Sequence, residues 1–135
     1  NGMRCVQVIG VPPAAERHGE AAPLPEADAV VVARKSRTAP VGEAVAESLA
    51  AAEALLAAGA RQLFFKYGST FDSTDQGNIG PVADALLKRL GSGFAIACPA
   101  FPANGRSIYQ GHLFVGSRLL SDSGMENHPL TPMKD

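Results

Sequence analysis

The chain has no tryptophan, only two cysteines, and 6% aromatic residues over its 135 positions. Cys5 and Cys98 stand in apolar surroundings and are too few for a disulfide framework. They read as small buried hydrophobes in a reducing compartment. No basic run occurs and the net charge is −1, which excludes nucleic acid as an expected partner. No apolar run approaches the ~20 residues of a membrane-spanning helix. The opening residues lack the charged-then-apolar pattern of a signal peptide. The expectation is a cytoplasmic protein with no membrane partner. His18, His112 and His128 are scattered, and no His/Cys/Asp spacing suits a metal site. Neither a GxGxxG turn nor a Walker A loop is present, so both common nucleotide-phosphate cradles are missing from this stretch.

What remains is an ordinary globular composition, 46% hydrophobic and 19% charged, at a length that supports one domain with one core. The sequence opens Asn1-Gly2-Met3 just ahead of a strand-like run. It closes on Pro129 to Asp135, a stretch expected to close nothing. The expectation is one domain of a longer, two-domain protein.

Residues 5–11 (CVQVIGV) form a β-branched run that stops at Pro12-Pro13, a strand followed by a surface loop to residue 26. Residues 29–33 (AVVVA) are continuously apolar, as in a parallel strand covered on both faces. Residues 41–58 form a helix whose apolar face would be Val41, Val45, Leu49, Ala52, Leu55 and Leu56, with Gly59 as its left-handed stop. Residues 62–67 read as a third strand, 81–90 as a second helix ending at Gly91, and 94–98 (FAIAC) as a fourth strand. Residues 108–115 and 118–120 flank Gly116-Ser117, a hairpin signal. The fold class expected is α/β: a mostly parallel, Rossmann-like sheet flanked by helices, with a C-terminal β-hairpin.

Three polar clusters follow three apolar runs: Lys35-Ser36-Arg37, the loop from Ser69 to Asn78, and Asn104-Gly105-Arg106. Ligands of open α/β sheets bind outside the carboxyl ends of the strands. Lys35, Arg37 and Arg106 would give that edge a positive field, Arg with a planar fork for a carboxylate or phosphate. The loop carries Ser69, Thr70, Ser73 and Thr74 around Asp72, and leads into a helix whose first N–H groups favour anions. That inventory suits a polyhydroxylated acid. Asp72 could accept hydrogen bonds from sugar hydroxyls or make a turn. Asn78 could shape the loop or cap the helix. His112, after Gly111, lies close in sequence to the Arg106 cluster.

Residues 66–82 (KYGSTFDSTDQGNIGPV), 99–106 (PAFPANGR) and 109–116 (YQGHLFVG), with 33–38 (ARKSRT), 123–125 (SGM) and 128–133 (HPLTPM), resemble the four-carbon acid sugar kinase family. The chain looks most like its 3-oxo-tetronate branch, and the resemblance covers nearly all of it. Gln76 stands where many relatives carry Arg before the Gly-Asn pair, a departure that favours the oxo-acid branch over threonate or erythronate kinases.

The resemblance implies most of an N-terminal sugar-acid-binding domain. The ATP-binding C-terminal domain would lie outside these residues, and so would an acidic Asp-Asp motif preceding Asn1, which leaves the catalytic base unidentified. It implies ATP-dependent phosphorylation of the acid's terminal hydroxyl, with Mg²⁺ bridging the ATP phosphates, and a homodimer as in many relatives. The candidate substrate-binding residues are Lys35, Ser36, Arg37, Asp72, Ser73, Thr74, Gly77, Asn78, Asn104, Arg106, Gly111 and His112. A non-catalytic sugar-acid-binding module stands as the alternative. A Rossmann-like oxidoreductase is disfavoured, because Gly10-Val11-Pro12-Pro13 stands where a dinucleotide turn would be required.

Overall fold

The computed structural model describes residues 2–12, 24, 26–70, 77–129 and 132–133. Two strands, β1 (Cys5–Ile9) and β2 (Ala29–Ala33), pair in parallel with Cys5 opposite Ala29 and Ile9 opposite Ala33. Hydrogen bonds beyond both ends lock that register. Arg4 N–H donates to Asp28 Oδ2 at 2.7 Å and Asp28 N–H returns to Arg4 O at 2.9 Å. At the far end Gly10 N–H donates to Ala33 O at 3.1 Å. A one-residue slip would break both clasps and turn every side chain to the other face.

After β2 a 3₁₀ turn (Ser36–Thr38) leads into α1 (Val41–Ala57). Of the apolar stripe expected for α1, Ala52 is buried, but the larger side chains are not. The fully buried positions of α1 are Ala44, Ala51 and Ala52, whereas Val45, Leu49, Leu55 and Leu56 stay partly accessible. Small residues let a neighbouring helix approach closely, and α2 (Ile79–Leu90) packs here, contributing Val82 at 1% exposure. Glu53 on α1 and Arg89 on α2 form a two-pronged ion pair across this contact, with Arg89 Nη2 to Glu53 Oε2 at 2.7 Å. Helix α2 starts two residues before Pro81. Proline is tolerated in that first turn because its missing N–H would lack an intrahelical acceptor anyway. Gly91, at φ 63°, ends the helix.

Three antiparallel strands follow: β3 (Arg106–Tyr109), β4 (His112–Val115) and β5 (Arg118–Leu119). The expected hairpin across Gly116-Ser117 is present, with Gly116 at φ 62°. A second turn, unforeseen, splits the run 108–115 at Gln110-Gly111. Both residues have positive φ, 49° and 82°, as a two-residue hairpin turn of matching twist requires. The chain after β5 does close something. Leu120 and Met133 are 2% and 1% exposed, and Met133 N–H donates to Met125 O at 3.1 Å.

The architecture is therefore mixed α/β: a parallel pair, two packed helices and a C-terminal antiparallel hairpin unit. Two expected strands are corrected. Residues 62–67 alternate half-buried Leu63, Phe65 and Tyr67 with exposed Phe64 and Lys66, the period of extended backbone. Residues 94–98 are exposed throughout, with Phe94 at 74% and Ile96 at 84%. Neither lies in a ladder among the described residues, because no described segment offers them backbone partners. Apolar β-branched and aromatic residues favour extension, but a strand exists only with a neighbour. The cysteines also differ from expectation: Cys5 and Cys98 are both free and exposed.

Candidate functional site

The carboxyl end of β2 begins the site. Arg34, next after the strand, is anchored by an ion pair to Glu47 of α1, both side chains about three-quarters buried. The chain then turns through Lys35, Ser36 and Arg37. Lys35 and Arg37 are exposed and Ser36 is half-buried. The bond that closes this turn, Ala39 N–H to Ser36 O, is long at 3.4 Å, and no side chain caps it.

Support comes from the head of α2. Asn78 occupies the N-cap position, yet its side chain makes no capping bond. It is 8% exposed, and its Nδ2 donates to Ser36 O at 2.6 Å and Ala39 O at 2.9 Å, with Arg37 O at 3.4 Å. Three carbonyl oxygens around one group determine which end of the amide faces them, since the opposite flip would oppose acceptor to acceptor. Asn78 Oδ1 is left buried without a partner. Asn78 therefore does not cap the helix with its side chain; it holds the distant 36–39 turn, a role that neither expectation for it named. Gly77, half-buried, precedes it. The turn bearing Lys35, Ser36 and Arg37 is thus held against the helix end where the first N–H groups and the macrodipole favour an anion. Glu47 and Asn78, which hold this turn among the described residues, carry no local signal for that role, since their partners are not neighbours in sequence.

Asp72, Ser73 and Thr74 lie outside the described residues. Thr70, at the near side of that loop, is 8% exposed. The remaining candidates belong to the hairpin unit. Arg106 N–H donates to Phe101 O at 3.0 Å, and its Nη1 donates to Asn104 O at 2.7 Å, which commits part of the guanidinium locally. Its Nε is buried and unpartnered. Gly105, at φ 65°, accepts from Gly116 N–H at 2.7 Å. Gly111 and exposed His112 line a cavity of about 110 Å³ with Leu113, Leu119, Leu120 and Ser121. Among the described residues no group of three His, Cys, Asp or Glu gathers in a way that could hold a metal ion.

A turn that presents two cations and a hydroxyl at a helix head is suited to a small hydroxylated acid. Comparison with known proteins agrees with that chemistry. Residues 1–135 match the family model of the sugar-binding N-terminal domain. The chain belongs to this family. It is 69% identical over 135 residues to the 3-oxo-tetronate kinase of Burkholderia multivorans, covering all of this chain and 30% of that protein. It superposes on the crystal structure of a Haemophilus influenzae protein with TM-score 0.87 at 51% identity, over 99% of this chain and 31% of the other. A Bordetella bronchiseptica domain, solved with bound citrate as a domain-swapped dimer, gives TM-score 0.73 at 29% identity over 99% and 32% of the two chains. The chain spans about 30% of the length of the curated relatives it matches.

Proposed function

We propose that these residues form the sugar-acid-binding domain of a two-domain kinase that transfers a phosphoryl group from ATP to the terminal hydroxyl of 3-oxo-tetronate, giving its 4-phosphate. The observation that carries this is the Ser36–Thr38 turn, clasped by Asn78 against the head of α2. Lys35 and Arg37 would neutralise the substrate carboxylate, the α2 N–H groups would add to that field, and Ser36 would meet a hydroxyl. The kinase name of the curated relatives and the citrate in the Bordetella neighbour, another small polar acid, support the same chemistry. A domain of this kind binds and aims the acid. Phosphoryl transfer itself depends on positioning and charge neutralisation.

ATP and Mg²⁺ belong to the reading, but the residues described here do not fit them. They offer neither a phosphate cradle nor a metal-binding cluster. Both would be held by the part of the protein beyond this domain. A cytoplasmic location and a homodimer complete the proposal. No helix among the described residues is long and apolar enough to cross a membrane.

The test uses the full-length polypeptide, with ADP release measured against a panel of four-carbon sugar acids. 3-Oxo-tetronate should be turned over in preference to threonate and erythronate. Arg37→Ala should weaken the acid by one to two decades, since a charge-assisted hydrogen bond is worth roughly 1.5–3 kcal/mol. Tight acid binding without phosphate transfer would replace the kinase with a non-catalytic binding module. ATP turnover by residues 1–135 alone would overturn the division of labour.

A further inference from the structure

The Ser36–Thr38 turn is weakly closed by its own backbone. Its closing bond is 3.4 Å long, it has no side-chain cap, and Pro40 forces Ala39 into extended backbone, with ψ 156°. Ala39 O thereby points away from any helical acceptor role, because α1 begins only at Val41. Arg34 and Glu47 tether the turn at its start. Its middle and end are tethered by Asn78, whose side chain reaches back some forty residues along the sequence to Ser36 O and Ala39 O.

We propose that Asn78 is a positioning residue for the sugar-acid site: its buried Nδ2 pins the turn carrying Lys35, Ser36 and Arg37 to the first turn of α2, and so sets the spacing between the cations and the helix head. This rests on the sugar-acid reading above. Asn78 itself would not contact substrate, as its Nδ2 is committed to the turn and its Oδ1 is buried. The two halves of the anion-binding arrangement come from separate parts of the chain, and the amide makes them one unit. Misplacement of positioning groups by about an ångström can cost on the order of a hundredfold.

The consequence is selective. In the full-length enzyme Asn78→Ala should raise KM for the sugar acid about ten- to a hundredfold, leave KM for ATP within about twofold, and change kcat at saturating acid little. Hydrogen exchange of the unmodified enzyme supplies a readout that needs no variant. Addition of 3-oxo-tetronate should slow exchange at residues 36–39 and 79–82 together. An unchanged KM for the acid in a folded Asn78→Ala enzyme would overturn the proposal, as would parallel rises in both KM values or protection of one segment without the other. If the unmodified enzyme turns over no four-carbon sugar acid, the sugar-acid reading itself fails and the proposal falls with it. Normal turnover with an indifferent Asn78→Ala variant removes only the role of Asn78.

Discussion

Two substitutions at Asn78 should affect the stability of the fold unequally, and in an order opposite to their similarity to asparagine. Asn78→Ala removes hydrogen bonds of 2.6 and 2.9 Å to Ser36 O and Ala39 O. Each is worth about 0.5–1.5 kcal/mol net, so the loss is about 1–3 kcal/mol. The same change also removes Oδ1, a buried acceptor with no partner, whose desolvation costs about 1–3 kcal/mol. The two effects oppose and are of similar size, so Asn78→Ala should change stability by no more than about 2 kcal/mol in either direction. Asn78→Asp keeps the shape and the orphaned oxygen but turns the donor into a second acceptor facing three carbonyl oxygens. An uncompensated buried charge of this kind costs roughly 3–5 kcal/mol. Burial without donors raises the folded-state pKa of the new carboxyl, so above its unfolded pKa the unfolded chain binds fewer protons than the folded one. Stability of Asn78→Asp therefore falls as pH rises from the ordinary carboxylate range toward neutrality, and the deficit shrinks in acid, where the protonated carboxyl can donate once. Urea melts of the three full-length proteins between pH 4 and 8 would show this. If Asn78→Asp is at least as stable as Asn78→Ala at neutral pH, or its deficit does not change with pH, the donor assignment at Nδ2 is wrong.

Leu120→Ala and Met133→Ala should each cost about 2–5 kcal/mol, since both side chains are essentially fully buried and their removal leaves a cavity; a shift in urea midpoint measures it. The hydrogen bond from Arg89 holds the Glu53 carboxyl below its ordinary value of 4.5. The stabilisation from that pair is complete above the ordinary value and is lost as pH falls through the lowered one. Glu53→Gln should therefore flatten the dependence of melting temperature on pH below about 4.5, an effect that diminishes in high salt because both partners are solvent-exposed.

Where the determinants are local, the sequence is legible. The continuous apolar run AVVVA coincides with β2 from end to end, and Gly91 stops α2 because the left-handed cap there needs no side chain. Where a partner elsewhere decides, it is not. Residues 62–67 have the alternation of a strand, and residues 94–98 have its composition, but a ladder depends on what lies alongside. The buried face of α1 falls on alanines because α2 approaches closely there. A moment drawn through the larger side chains cannot anticipate that. Gln110-Gly111 makes a turn usually signalled by Asn or Asp at its first position, so the run 108–115 read as uninterrupted. Met133 is buried through a tail whose irregular sequence gives no periodic signal.

Asn78 shows the same division inside the candidate site. Asparagine one residue ahead of a helix is the pattern of an N-cap, and the position is indeed the N-cap. What the side chain does there is decided by the carbonyls of a distant turn. Capping would satisfy one helical N–H. Reaching across satisfies Ser36 O and Ala39 O, two acceptors in a weakly closed turn. Two paired carbonyls outweigh one capped N–H, so the amide goes to them. The Asn78 side chain itself leaves the helix head uncapped as a result. The displaced asparagine instead ties the turn carrying Lys35 and Arg37 to the head of α2. On the proposed sugar-acid reading, that choice would set the cations against a helix end whose macrodipole favours an anion.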